Sequence, residues 1–291
     1  LPYSVPLFAR EHPYLLHLSI TYLLYLTLAQ SWNLLAGYCG LLSLTQQLFF
    51  GAGAYAAALM LAGGMGHLVA MLSAIAIGVL VAYSSALVLI RLRGVAFAIA
   101  SWMIAEAART LAHNYGPLGG STGIVLPVPF MLNRVAAYYI ILSVTVASMF
   151  ALYLIIRSRH GLALRAMLED ETSAERMGIN TAFYKKFALS VSGAMAGAVG
   201  AFYSFYVLYI EPDTAFAFIW SIDVIIITVL GGIGTLFGPV IGMLPYLFVT
   251  EYLRLLFQDW NILIIGIFLL ALSLGMRRGI GYYLIRLVRL R

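Results

Sequence analysis

Over much of this chain polar positions are missing altogether, with no period to trace. From His12 to Ile90 there is no Asp, Glu, Lys or Arg in 79 residues, several times the roughly 20 apolar residues that carry one helix across a bilayer. Glycines, prolines and short charged clusters cut the apolar sequence into segments. The first eight are Tyr14 to Ala36, Leu41 to Ala62, His67 to Ile90, Gly94 to His113, Val135 to Ile156, Phe187 to Ile210, a seventh ending at Gly231 and an eighth returning to Thr250. With the last, Trp260 to Met276, the pattern predicts an all-α, polytopic transmembrane helical bundle of about 9 spans, a single transmembrane domain over residues 1–291. Pro2, Pro6 and Pro13 make the start an extended lead-in.

Two segments cannot be regular helices. Gly37, Gly40, Gly51 and Gly53 fall in or beside the second, and the string from Gly231 to Pro239 holds Gly231, Gly232, Gly234 and Gly238. Non-helical backbone at membrane depth is tolerated only where protein or a cavity satisfies its freed polar groups, so broken or re-entrant helices are expected at both places. Gly37, Gly40 and Leu42 echo Gly231, Gly234 and Leu236. Paired interruptions of this kind point to the pathway in repeat-built transporters. Gly37, Gly40, Ser43, Gln46, Gly51, Gly231, Gly232, Gly234 and Gly238 are the candidate pathway-lining or hinge residues.

Residues 157–186 form the one long polar stretch and hold ten of the chain's charged residues. Leu164, Met167 and Leu168 recur at helical spacing behind Gly161, and Glu169, Asp170 and Glu171 end that run. A second short helix is expected to start at Thr172, capped reciprocally with Glu175, and to stop at Gly178. Two capped helices exceed what a connector needs, so the stretch is a candidate docking element.

Composition agrees with the pattern: 63% of residues are hydrophobic, 10% are charged, and the mean hydropathy is +0.98, against about 45 to 50% apolar in soluble domains. The formal charge of +6 does not imply a nucleic-acid partner, because the basic residues sit between spans and in the tail, where they report orientation. Arg91 and Arg93, the 157–186 stretch and the C-terminal tail from Arg277 are thus expected on the cytoplasmic side, and Asn114 to Arg134 outside. That arithmetic puts Leu1 outside and leaves room for one more span upstream. Glu251, Arg254 and Asp259 are expected in an outer loop. Glu106 and Arg109 share a helix face three residues apart, as an interfacial ion pair would. The single cysteine, Cys39, is expected to be a packing residue.

The sequence contains no His or Cys cluster for a metal, no nucleophile elbow, no phosphate-binding loop and no span with several acidic groups. Neither catalysis, a metal nor a cofactor is expected. An ion-coupled carrier would bury titratable groups at mid-membrane, which are scarce here, and a scaffold would have no broken spans.

Four ordered motifs carry a family resemblance: WNLLAGYCGLLSLTQQLFFGAGAYAAAL from Trp32, GGSTGI from Gly119, GLALRAMLEDETSAERMGIN from Gly161, and VLGGIGTLFGPVIG from Val229. In these the chain resembles the permease subunit of bacterial branched-chain amino acid ABC importers, the M-type partner of the high-affinity leucine, isoleucine and valine system. The resemblance implies a translocation subunit in the inner membrane. Its implied partners are a second homologous permease, two cytoplasmic ATP-binding subunits and an extracytoplasmic solute-binding protein. It also implies that the segment 161–180 contacts the ATPase, with Arg165, Glu169, Glu171, Thr172, Glu175 and Gly178 as coupling residues. Urea and short-chain amide importers share these motifs and form the alternative. Thr45, Gln46, Gln47 and Leu48, and Thr122, depart from the usual family residues on the expected solute route.

Overall fold

The computed structural model describes residues 13–126 and 132–256. It is almost entirely helical. The first helix, α1 (Pro13–Asn33), runs without a break into a π-helical turn, Leu34–Tyr38. Backbone without helical form follows to residue 45, and α2 (Gln46–Ala62) then starts afresh. Next come α3 (His67–Leu89), α4 (Gly94–Asn114), two short 3-10 turns and a two-residue strand, β1 (Ile124–Val125). After α5 (Arg134–Arg157) stand the short helices α6 (Arg159–Glu169) and α7 (Glu171–Arg176), then the long α8 (Thr181–Val207). The chain continues through β2 (Tyr209–Ile210), α9 (Pro212–Ala215) and α10 (Ile219–Gly231) to α11 (Gly238–Leu256).

Five helical stretches are long and apolar enough to cross a membrane: His67–Leu89, Gly94–Asn114, Arg134–Arg157, Thr181–Val207 and Pro212–Gly231. The all-α membrane class holds, with five such stretches among the described residues where the sequence predicts about nine spans in the whole chain. Gln46–Ala62 and Gly238–Thr250 are apolar but shorter, because each begins only after a glycine-rich break. Glu251 and Arg254, expected in an outer loop, continue α11 instead. The segment from Trp260 to Met276 and the basic tail lie outside the described residues.

Small residues set the packing. The long α8 lies against both α2 and α3, where Gly53 meets Gly197 and Gly78 meets Gly193 backbone to backbone. A Cβ on Gly53 would stand 2.5 Å from the Gly197 Cα, so these helices approach as closely as two backbones can. The second group is α1 with α5, α10 and α11, and α1 also touches α8, which joins the two halves. The buried core runs through both, from Ile20 and Trp32 to Phe49, Phe50, Phe202 and Val224. On one end of the bundle β1 pairs antiparallel with β2, Ile124 opposite Ile210, and α6 and α7 occupy the other.

Candidate functional site

The two breaks predicted from glycine content meet in space. A Cβ on Gly37 would lie 2.8 Å from the Gly234 Cα, and one on Gly234 would lie 2.8 Å from the Gly37 carbonyl oxygen. Gly234 itself has φ +76°, the left-handed region that side chains avoid. The freed backbone of the 232–238 turn is satisfied by side chains of α1. Asn33 accepts from the Gly234 N–H at 2.8 Å and donates to the Thr235 carbonyl at 2.8 Å. Gln30 donates to the Leu236 carbonyl at 2.7 Å, and the Tyr22 hydroxyl to the Val240 carbonyl at 3.0 Å. Broken backbone inside a membrane protein requires this kind of protein-supplied partner. Gly231 and Gly238 face each other across the turn, while Gly232 takes φ +113°.

The start of α2 is the second cluster. Ser43, Thr45, Gln46 and Gln47 are all completely buried. The Trp32 indole N–H donates to the Ser43 carbonyl at 2.8 Å, and the Ser43 and Thr45 hydroxyls share a hydrogen bond of 2.7 Å. Gln46 uses both ends of its amide: Oε1 accepts from Ser31 at 2.9 Å and Nε2 donates to Ser192 at 3.1 Å. Gln47 uses neither, and both its side-chain polar atoms stand without a partner. An unpaired buried polar group costs about 1 to 3 kcal/mol, so this arrangement is expensive unless it serves something. Gly51, one turn on, packs against the Phe216 ring, and Gly40 (φ +75°) lies against Leu168 of α6.

The polar stretch after α5 folds as two short helices, as expected, but its cap is different. Asp170, not Thr172, caps α7: its carboxylate accepts from the Ser173 N–H at 2.9 Å, and the Thr172 hydroxyl donates to the same oxygen. The Thr172 hydroxyl and the Ser173 amide together hold the Asp170 carboxyl below the usual carboxylate range. Glu175 does not reach back to the cap. It accepts from the Thr181 hydroxyl at 2.6 Å and lies 3.6 Å from Arg93. Gly178 does end the helix, with φ +86° and an Ile179 N–H to Ala174 carbonyl bond of 3.0 Å, the six-to-one closure of a Schellman motif.

Ion pairs clamp this elbow to the bundle. Glu171 lies 2.6 Å from Lys185 and 3.4 Å from Arg93, and Lys185 is only 2% exposed. Arg165 stacks over the Tyr38 ring at 5.8 Å, so α6 also rests on the π turn below Gly37. Glu169 and Thr172 are exposed. So are Leu162 (68%) and Met177 (70%), apolar residues beyond the end of α5. Sequence reading passed over these two because a single exposed apolar residue has no pattern. On the other face of the protein, Arg109 pairs with Glu106 at 2.6 Å as expected, and also with Asp213 at 3.6 Å. Thr122 presents its carbonyl to the Tyr209 hydroxyl at 3.2 Å. Among the described residues no group of His, Cys, Asp or Glu is placed to hold a metal ion.

Comparison with known proteins decides what such a bundle is. Residues 14–273 match the family described as "Branched-chain amino acid transport system / permease component". The chain belongs to this permease family. It is a permease subunit of an ABC importer and not an enzyme, a multi-pass protein of the inner membrane. Among its relatives, the high-affinity branched-chain amino acid transport system permease protein LivM of Escherichia coli (strain K12) is 27% identical, over 89% of this chain and 68% of that protein. The permease protein LivM of Salmonella typhimurium (strain LT2) is 26% identical over the same shares. No solved structure matches the permease.

Proposed function

We propose that the permease carries branched-chain amino acids, the solutes named for its LivM relatives, and lines the pathway together with a second homologous permease. Two cytoplasmic ATP-binding subunits drive the cycle, and an extracytoplasmic solute-binding protein delivers the solute. The pathway runs by the two breaks, so that Gly37, Gly40, Ser43, Gln46, Gly51, Gly231, Gly232, Gly234 and Gly238 are lining or hinge positions. Residues 1–291 form one transmembrane domain of about nine spans, with α6 and α7 on the cytoplasmic side.

One observation carries the coupling role: an elbow of two capped helices is clamped to the bundle by Lys185, Glu171 and Arg93 while turning Leu162 and Met177 outward. Apolar side chains exposed on an ordered, otherwise polar element mark a protein contact. Leu162, Glu169 and Met177 meet the ATPase in this reading. Arg165, Glu171, Thr172, Glu175 and Gly178 shape and anchor the elbow that presents them. Movement of the ATPases then reaches the π turn and the 232–238 break through Arg165 and through Leu168 on Gly40.

The test is co-purification. Met177→Asp should insert normally yet release the ATP-binding subunits and abolish their solute-stimulated hydrolysis. Retention of both by Met177→Asp combined with Leu162→Asp would reduce the elbow to a connector.

A further inference from the structure

Gln46 and Gln47 are consecutive, equally buried and oppositely treated. Gln46 has a serine at each end of its amide, whereas Gln47, 0% exposed, has no partner at either end. Gln47 lies in the first turn of the 17-residue α2. Its backbone N–H donates to the Ser221 hydroxyl of α10 at 3.3 Å, and that hydroxyl reaches back to the Leu44 carbonyl at 3.4 Å. The N-terminus of α2 is therefore fixed from two sides while the Gln47 amide remains unspent. In a helix the Cα–Cβ bonds lean toward the N-terminus, so the Gln47 side chain is aimed back over that end.

The start of α2 also carries the positive end of a helix dipole and lies inside the bundle, with non-helical backbone from residue 40 to residue 45 leading into it. Half-helix N-termini in this setting receive the anionic group of a solute. Thr45 precedes α2 and its side chain makes no cap hydrogen bond; the Thr45 and Gln47 amides already donate to the Ser43 and Ser221 hydroxyls, so what this end offers an anion is chiefly its dipole.

Resting on the importer reading above, we infer that the N-terminus of α2 and the Gln47 amide form the recognition point for the head group of a zwitterionic α-amino acid. The carboxylate sits at the helix N-terminus and accepts from Gln47 Nε2. The adjacent ammonium donates to Gln47 Oε1. A zwitterion supplies an acceptor and a donor side by side, which are the two partners this amide lacks. A neutral amide could also pair with Gln47, but it would leave the helix dipole without a charge.

The test uses the complete importer in proteoliposomes with leucine as probe. Gln47→Met has nearly the same volume and removes both unpaired atoms. It is expected to keep or raise the melting temperature of the solubilised complex while leucine uptake per ATP hydrolysed falls by about tenfold or more, the scale of a lost polar contact to a substrate. Gln47→Glu keeps an acceptor for the ammonium but opposes the carboxylate, and uptake should fall at least as far. If Gln47→Met does not insert, Gln47→Asn takes its place: it keeps donor and acceptor, retracts them by one methylene, and should also lose uptake. Uptake within about twofold of the parent in these variants, or a loss of uptake that tracks a lowered melting temperature, would overturn the assignment. Failure of the unsubstituted importer to take up leucine with ATP would instead refute the branched-chain amino acid reading proposed above.

Discussion

Asn33 holds Gly234. Its Oδ1 accepts from the Gly234 N–H at 2.8 Å while its Nδ2 donates to the Thr235 carbonyl, also at 2.8 Å, and it does so from the last position of α1 before the π turn. One amide thus ties the 232–238 turn to the end of α1. Replacing it with Leu takes the protein partner from one donor and one acceptor of a partly buried turn, at the lower end of about 1 to 3 kcal/mol each because Thr235 is exposed. Asn33→Leu should therefore lower the melting temperature of the detergent-solubilised protein and impair transport. Asn33→Asp, which keeps the acceptor to Gly234 and loses the donor, should lie between the two.

Contact between Gly37 and Gly234 leaves no room for a side chain on either. Gly234 also stands at φ +76°, where strain alone costs on the order of 1 to 3 kcal/mol. Gly37→Ala should separate the two breaks by pushing on backbone, and Gly234→Leu should impair transport while the protein still reaches the membrane. Normal uptake by Gly234→Leu would remove the 232–238 turn from the moving parts.

The spans were legible where charge and glycine bound an apolar run. Helices α3, α4 and α5 end within a residue or two of the predicted limits, because Gly66, Arg93 and Arg157 stand at their ends. The helix expected from Phe187 begins six residues earlier, at Thr181. Asn180 caps it, and Lys185, which reads as an end-of-span charge, is buried inside its first turns by Glu171. The elbow's cap was misplaced because Asp170 and Thr172 both fit the local rules for an N-cap, and only the fold sends Glu175 to Thr181 rather than back to Thr172. Both breaks were visible as glycines, but their meeting was not. No local pattern says that Asn33 must reach a residue some two hundred positions away. Gln47 was likewise indistinguishable from Gln46, since what separates them is which serines the fold brings near.

The buried Lys185 pairs at 2.6 Å with the partly exposed Glu171, and the elbow depends on it. Removing Glu171 leaves the Lys185 ammonium in a dry site, typically about 3 to 5 kcal/mol destabilising, removing Lys185 costs less because Glu171 is partly exposed and keeps Arg93, and removing both can be close to neutral. Lys185→Met and Glu171→Gln should each detach the elbow and lower stability. The double variant should recover much of the loss in a thermal melt, and a strictly additive result would contradict the pairing.

At the tip of the elbow, Gly178→Val forces a β-branched residue into the left-handed region and should fray α7 without disturbing the spans. Acid should do the same through Asp170. Its native carboxyl is held below its unfolded value of 3.8, so the stabilisation is complete above that value and is lost as pH falls through the depressed native one. A fluorophore attached through Met177→Cys should report fraying on acidification, and Asp170→Ala, which removes the capping oxygen, should show it already at neutral pH.

The central claim is that this bundle is the membrane half of an ATP-driven importer, and reconstitution tests it most directly. The permease is placed in proteoliposomes with the second permease, ATP-binding subunits and solute-binding protein proposed for it, and uptake of labelled leucine is followed with and without ATP. The account predicts accumulation that requires ATP hydrolysis, requires the binding protein, and is unaffected by collapsing proton and sodium gradients. Leucine accumulation without ATP, driven by either ion gradient, would contradict it.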